Sequence, residues 1–197
     1  MKGVVAGIAL FPALLMYTTP VGAQLPKGYV HVGFGSASVG GRGVRFGTSA
    51  PAAALGFRLG AHEWIEFRLS RLSAEYVDYV GGFGDEGYNA YGATAHPFDV
   101  MLLNERPAVV AGVRPFLGAG LSLVPLEDRF DSCCGFEKAS GVASGAIFAG
   151  GLRASLAGGV GVEMRAGYRL SFDLSHRPGI PLNLSGINIE GGLQWRW

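Results

Sequence analysis

The sequence predicts an all-β protein, an eight-stranded antiparallel transmembrane β-barrel that follows a cleaved signal peptide. Three observations predict this fold. The first 23 residues have the pattern of an export signal. The remaining chain alternates between apolar and polar residues with the two-residue period of β-strands. No later segment contains the roughly 18 uninterrupted apolar residues of a transmembrane helix, and strands cross a bilayer only as a closed barrel.

The composition limits the classes of protein to be considered. The chain has 197 residues, which suffices for one domain, and its net charge of +1 gives no reason to expect a nucleic-acid partner. Charged residues make up 16% of the chain, below the roughly 25% typical of soluble domains. The 33 glycines have no three-residue period, which excludes a collagen-like protein.

The N-terminal segment predicts export. Lys2 provides a positive start, residues 4–16 are apolar, and Val21-Gly22-Ala23 provides small residues at a cleavage site. We therefore expect a signal peptide over 1–23 and an outer-membrane β-barrel domain over 24–197. An uncleaved anchor is the alternative, but the apolar run is short for a span and Pro12 interrupts it.

The clearest strand lies near the C-terminal end of the chain. From Val160 to Phe172 every second residue is apolar or small, whereas Glu163, Arg165 and Arg169 occupy positions between them. A strand separates these two sets onto opposite faces, and a helix would mix them. The same alternation recurs along the chain and predicts strands at 28–39, 51–60, 63–74, 88–103, 107–124, 143–156, 159–173 and 184–197.

Two of these strands are less regular. In the fourth strand the alternation shifts near Phe98, and Pro97 cannot donate a ladder hydrogen bond, so we expect a bulge or an irregularity there. Alanine and glycine dominate both faces of the sixth strand.

The predicted connections alternate in length. Short turns are expected around 60–62, 104–106 and 157–158, and long loops at about 40–50, 75–87, 125–142 and 174–183. Short turns at one end and long loops at the other are typical of membrane barrels. An even number of strands places both termini at the short-turn end.

The charged face of the strands is expected to line the barrel interior, because the apolar face meets lipid. Glycines on the inner face leave room for long side chains, which could pair there. Trp195 and Trp197 at one end, with Tyr168 and Phe172 toward the other, suit the two membrane interfaces. The predicted interior charges are Arg58, Glu66, Arg68, Arg114, Arg153, Glu163, Arg165, Arg169, Glu190 and Arg196.

These patterns carry a resemblance to a known family. The C-terminal Gly-Leu-Gln-Trp-Arg-Trp resembles the C-terminal assembly signal of outer-membrane barrels, with Leu193, Trp195 and Trp197 as its outward residues, although the usual last residue is Phe. Residues 114–121 and 163–169 resemble the fifth and seventh strands of small OmpA/OmpX-like barrels. The resemblance implies the outer membrane of a Gram-negative-type bacterium, export through the periplasm, recognition by the barrel assembly machinery, and contact with outer-membrane lipids including lipopolysaccharide.

Few residues suggest chemistry. Cys133 and Cys134 lie side by side in the third long loop and could form a vicinal disulfide, bond another chain, or remain thiols. No further ligand cluster accompanies them, so neither a metal site nor any cofactor is expected.

Ser175 and His176, with Asp173 nearby, suggest comparison with outer-membrane lipid A deacylases, which activate a serine by a histidine. The His-x-Ser-Asn pattern of those enzymes is absent, and adjacent side chains on a strand point to opposite faces. We expect a protein that is not an enzyme.

The function expected from the sequence is a structural or surface-interaction role carried by the extracellular loops, without a wide pore, because an eight-stranded interior is filled by side chains. The second loop combines acidic residues with tyrosines, and Arg42 and Arg45 in the first loop could meet lipopolysaccharide phosphates. The external ligand stays open. A lipid A-modifying enzyme and a secreted soluble lipocalin-like binder are the alternatives, although the lipocalin Gly-x-Trp signature is missing.

Overall fold

The chain folds almost entirely into β-strands. A computed structural model describes residues 27–41, 44–82, 85–110, 112–132, 135–174 and 185–197, so the predicted signal peptide lies outside the described residues. The strands are β1 (Gly28–Gly41), β2 (Val44–Arg58), β3 (Glu63–Ser70), β4 (Leu72–Gly82), β5 (Asp85–Ala95), β6 (Phe98–Glu105), β7 (Val113–Ser132), β8 (Gly135–Ser155), β9 (Val160–Leu174) and β10 (Gly186–Arg196). Within those ranges no helix has the length and apolarity needed to cross a bilayer.

The ten strands form a closed antiparallel barrel. β1 pairs with β2 on one side and with β10 on the other, from Tyr29 opposite Arg196 to Val39 opposite Gly186. β3 and β4 follow one another along a single strand position of the barrel wall, here called a stave, and so do β5 and β6. The pairing shows this, because β3 pairs with β6 and β4 pairs with β5. The ten segments therefore make eight staves, and the predicted eight-stranded antiparallel barrel is confirmed.

Two staves are interrupted at the same level of the barrel. Arg71 separates β3 from β4, and His96 and Pro97 separate β5 from β6, which is where the sequence predicts an irregularity. Backbone hydrogen bonds bridge the level, since Arg71 N donates to Pro51 O (3.1 Å) and His96 N donates to Pro125 O (2.9 Å). Prolines lack the N–H that a regular ladder would use there.

The predicted shift of alternation near Phe98 is wrong. Ala95 and Asp99 are both buried, whereas Phe98 is exposed. The same set of alternate positions therefore faces the interior on both sides of the interruption. The interior simply changes from alanine to charged residues at that level, which makes the two faces look exchanged in the sequence.

Three of the four predicted long loops are wrong in extent. Residues 44–50, 75–82 and 125–132 belong to paired strands, and β7 and β8 reach 20 and 21 residues. A strand needs only about 9–11 residues to cross the hydrocarbon, so these strands extend well past it. Outside the membrane both faces of a strand meet water, and the apolar–polar alternation that marks a strand is lost. The predicted fourth loop, 174–183, falls almost entirely outside the described residues.

The short connections lie at the opposite end. β7 begins at Val113 rather than at 107, and Gly112 adopts a positive φ of 77° in the turn before it. The β8–β9 connection is a single 3-10 turn, Ala157–Gly159, in which Gly158 and Gly159 have φ of 67° and 80°. Glycine tolerates this left-handed region without the steric cost of a Cβ.

The barrel is polar inside and apolar outside. Leu121 is 72% exposed and Leu193 is 62% exposed on the outer surface, whereas Glu66 is fully buried within. This distribution is the reverse of a soluble lipocalin-like barrel, which would keep charges outside, and it excludes that alternative for the fold.

Apolar side chains fill the interior together with the charges. Toward the long-strand end, Ala37, Ala50, Leu72, Ala95, Val124, Leu126 and Ala143 form one buried apolar layer. Toward the short-turn end, Tyr29, Trp64, Met101, Leu103, Phe116, Ile147 and Ala149 form a second cluster.

Tyr29 fits the second cluster only because its neighbour is glycine. It lies opposite Gly56 in the β1–β2 register, and a Cβ at Gly56 would collide with the Tyr29 ring. We expect Gly56→Ala to destabilise the barrel by about 1–3 kcal/mol, because overpacking would displace the ring. The free energy of unfolding is measured by urea titration in lipid vesicles.

Gly92→Ala is the matched control, since a Cβ there would meet only Arg129 Cβ at 3.9 Å. Equal losses of stability in the two variants would contradict the proposed role of Gly56.

Candidate functional site: the charged interior and the extended strands

The Glu66 carboxylate on β3 is the centre of the interior network. Arg165 on β9 donates to both of its oxygens, at 2.6 and 2.7 Å, and the Tyr29 hydroxyl donates to Oε2 at 2.5 Å. Arg153 Nη2 and Arg68 Nη1 complete the surroundings at 3.4 and 3.5 Å. A buried carboxylate requires such partners, because an unpaired buried charge is strongly destabilising.

Arg153 on β8 connects this centre to three other strands. Its Nε donates to Glu163 Oε2 at 2.8 Å, its Nη1 to Glu105 Oε2 at 3.2 Å, and its Nη2 to the Tyr29 hydroxyl at 2.8 Å. The guanidinium carbon lies 4.4 Å from the Tyr29 ring centroid and 4.5 Å from that of Phe116. Aromatic faces stabilise a desolvated guanidinium. The N–H groups of Arg153 are therefore hydrogen-bonded, and the faces of its guanidinium contact aromatic rings.

A second cluster lies nearer the long-strand end. Arg169 Nη2 bonds both Asp99 oxygens, at 3.0 and 2.9 Å, and Arg169 Nε donates to Ser122 Oγ at 2.9 Å. Ser122 Oγ in turn donates to Asp99 Oδ1 at 2.5 Å. This triad ties β6, β7 and β9 together below the apolar layer.

A third cluster lies at the short-turn end. Arg196 on β10 forms a bidentate pair with Glu105, at 3.0 and 2.8 Å, and Arg114 reaches Glu105 Oε1 at 3.3 Å. Because β10 carries Arg196 and β6 carries Glu105, this pair links the last strand to the opposite wall of the barrel. Bidentate arginine–carboxylate pairs have a fixed geometry and are among the stronger pairs.

Glu190 and His31 form the least satisfied part of the interior. Arg68 pairs with Glu190, and His31 Nδ1 lies 3.5 Å from Glu190 Oε1. Both nitrogens of the buried His31 ring lack a hydrogen-bond partner. A Cβ at Gly33 or Gly192 would contact the His31 ring, so these glycines make the space that the imidazole occupies.

The ten charges predicted for the interior all lie on inward-facing positions of the strands. Seven are fully buried, namely Glu66, Arg68, Arg153, Glu163, Arg165, Arg169 and Glu190. Arg58, Arg114 and Arg196 are partly exposed at the short-turn end. Arg58 makes no carboxylate pair among the described residues, and its guanidinium donates instead to the carbonyls of Gly60 and Ala61.

Sequence reasoning missed several members of the network. Asp99 and Glu105 were assigned to an irregular strand and to a turn, yet they are the acceptors of two of the three clusters. Tyr29, Ser122 and Trp64 were also missed. The alternation from Phe98 to Glu105 carries the signal for Asp99 and Glu105, once it is followed through Pro97 without a change of face.

Other predicted site residues are less informative. Cys133, Cys134, Ser175 and His176 lie outside the described residues, and so does Arg42. Within the part of the chain that the structure covers, no three His, Cys, Asp or Glu residues form a group that could hold a metal ion. The C-terminal residues Leu193, Trp195 and Trp197 are exposed on the outer surface, at 62%, 57% and 52%.

The extended ends of β4, β5, β7 and β8 form one four-stranded sheet. β4 pairs with β5 over its whole length, β5 pairs with β7 from Asn89 to Ala95, and β7 pairs with β8 as far as Gly135. Residues 72–95 and 125–142 contain four acidic residues each and only two basic residues in total, a net charge of −6. Residues 38–50 of the β1–β2 hairpin contain Arg42 and Arg45 and no acid, a net charge of +2.

The central carboxylate gives a test of the network. We expect Glu66→Gln to destabilise the barrel by about 3–5 kcal/mol, because it removes the buried countercharge that Arg68, Arg153 and Arg165 share. Urea unfolding in lipid vesicles measures the free energy. Glu127→Gln on the exposed part of β7 is the control and should change stability by less than about 0.5 kcal/mol. A loss for Glu66→Gln no larger than the control's would show that Glu66 does not hold the network.

Comparisons with known proteins place this architecture. No family profile matches the chain, and no curated protein matches it in sequence. Solved structures do match. Neisserial surface protein A, NspA, superposes with a TM-score of 0.62 at 13% identity, covering 86% of this chain and 97% of that one.

Two further structures have the same architecture. Ail, the attachment invasion locus protein of Yersinia pestis, gives a TM-score of 0.55 at 10% identity over 88% of this chain and all of its own. The N-terminal β-barrel domain of Pseudomonas aeruginosa OprF gives 0.55 at 12% identity over the same share. The chain therefore has the fold of the small eight-stranded outer-membrane β-barrels, as its resemblance to the OmpA/OmpX-like proteins predicts.

Proposed function

We propose that this protein is a non-enzymatic interaction barrel of the outer membrane. Its partner-binding surface is the four-stranded extension formed by β4, β5, β7 and β8, and its partner presents positive charge. The observation that carries the proposal is the continuous pairing of these four strands well beyond the length that a bilayer requires. Strand pairing of this extent holds a surface in one shape, which favours recognition over a solvated linker.

The charge of the extension supports a cationic partner. Its net charge of −6 comes from residues 72–95 and 125–142, in a chain whose overall net charge is +1. Complementary potentials steer association and suppress partners of the same sign. The two basic residues of the extension, Arg129 and Lys138, are opposite each other in the β7–β8 register and are surrounded in sequence by acids.

The similarity to Ail supports a surface role but not the same ligand chemistry. Ail has been crystallised with the heparin analogue sucrose octasulfate, a polyanion. An acidic sheet repels such a ligand. The β1–β2 hairpin, with Arg42 and Arg45, is the better candidate for anions, and we propose that it meets lipopolysaccharide phosphates.

The same proposal covers the route to the membrane. Residues 1–23 direct export through the periplasm and are removed. The barrel assembly machinery recognises the C-terminal strand through Leu193, Trp195 and Trp197, and outer-membrane lipids surround the apolar surface. The short turns then face the periplasm and the extended strands face outward, as in bacterial barrels. The filled interior leaves no wide pore.

Location is tested first. We expect the protein in the outer-membrane fraction of expressing cells, with different mobilities on detergent gels before and after boiling, because a closed barrel resists detergent until it is heated. Recovery of the mature chain in the soluble periplasmic fraction would contradict the proposal.

Charge recognition is tested with a fluorescent lysine-rich peptide and the barrel in zwitterionic nanodiscs. We expect binding that weakens as salt rises from about 50 to 200 mM, since the Debye length shortens over this range. The variant Glu75→Gln, Asp78→Asn, Asp85→Asn, Glu86→Gln should bind roughly tenfold more weakly, because it removes half of the acidic residues.

The matched control is Arg42→Gln, Arg45→Gln, which changes charge at the same end of the barrel but on the β1–β2 hairpin. It should bind the peptide at least as well as the wild type. If the variant with four neutralised acidic residues kept full affinity, the four-stranded extension would not be the binding surface.

A further inference from the structure

A groove of about 380 Å³ lies on the outer surface of the barrel at the short-turn end. Three leucines that face outward line it, Leu59, Leu102 and Leu117, and Leu117 is 73% exposed. The buried Trp64 and Leu103 lie beneath them. Leucines on the lipid-facing surface suit an acyl chain, and the volume is in the range of small-ligand sites.

The groove also contains polar groups, which a surface that meets only acyl chains does not need. Glu63 and Asn104 line it and are direct partners in the β3–β6 register. Glu63 is the first residue of β3, and Asn104 precedes the last residue of β6, so both lie at the boundary where the strands leave the membrane. Lipid headgroups occupy this level of a bilayer.

The acceptor atoms of these two residues have few partners among the described residues. Asn104 Oδ1 is buried and has no hydrogen-bond donor. Glu63 Oε2 accepts only from the backbone N–H of His62, at 3.2 Å, and Glu63 makes no ion pair with the described residues. A buried polar atom without a partner is destabilising unless something binds it.

We propose that this groove binds a phospholipid with a primary-amine headgroup, phosphatidylethanolamine. Its ammonium group donates hydrogen bonds to the Glu63 carboxylate and to Asn104 Oδ1, and one acyl chain lies along Leu59, Leu102 and Leu117. The charge decides the class of lipid, because an anionic headgroup would meet the Glu63 carboxylate unfavourably and a quaternary ammonium has no N–H to donate.

The orientation proposed above puts the groove in the periplasmic leaflet, but the binding itself does not depend on the extended sheet. The proposal therefore fails or stands separately from the proposed function. If the variant with four neutralised acidic residues loses peptide binding but still selects a lipid, the two proposals are distinguished.

Native mass spectrometry of the intact protein in detergent tests the proposal. Phosphatidylethanolamine, phosphatidylcholine and phosphatidylglycerol with identical acyl chains are added in turn. We expect phosphatidylethanolamine to bind roughly tenfold more tightly than the other two, as a charge-assisted hydrogen bond provides. Glu63→Gln and Asn104→Leu should each reduce this preference, and Leu117→Ala should weaken all three lipids.

Matched controls are Glu127→Gln, an exposed glutamate on β7 at the other end, and Leu152→Ala, an outward leucine on β8 away from the groove. Both should keep the wild-type preference, and heat-dependent gel mobility verifies that every variant folds. Equal binding of the three lipids by the wild type would overturn the proposal. An unchanged preference in folded Glu63→Gln would overturn it as well.

Discussion

The closure of the sheet between β1 and β10 is the constraint on which the rest of the structure depends. Backbone groups in hydrocarbon must be paired, and a closed sheet pairs them all. Closure at eight staves also fixes the interior volume, so that side chains from opposite walls meet. Tyr29 on β1 and Glu66 on β3 can share a hydrogen bond with Arg153 on β8 only because the ring is this narrow.

Charges inside such a barrel are retained through mutual pairing rather than through water. Each arginine that is fully buried has at least one carboxylate within reach, and Arg153 serves three. A single missing partner leaves a desolvated charge, whereas the intact pair is roughly neutral in free energy. The network therefore adds little net stability but enforces the correct strand register. A register shift of one residue would turn the arginines of that strand toward lipid.

The sequence predicts those parts of the fold that stand between two solvents. From Val160 to Leu170, apolar residues that face outward alternate with polar or small residues that face inward. The inward orientation of Arg165 and Arg169 could therefore be assigned from the sequence alone. The signal weakens at Pro97, where a proline interrupts the stave, and so Asp99 was missed. It disappears beyond Leu126, where the paired strand β7 has the composition of a loop. The groove beside Glu63 could not be predicted, because Glu63 and Asn104 are 41 residues apart and meet only through the β3–β6 register.

The apolar layer between the charged interior and the extended sheet separates two parts of the protein that are under different constraints. Leu72, Ala95, Leu126 and Ala143 contact one another at the level where the extended strands begin. Within the described ranges, the side-chain hydrogen bonds of Asp99, Ser122 and Arg169 join these three residues to one another below the layer. The five buried acidic residues are paired inside the barrel, whereas the eight acidic residues of the sheet belong to segments beyond this layer. Substitutions in the extension therefore leave the register of the barrel beneath unchanged, so the surface of the extension can vary while the barrel is retained.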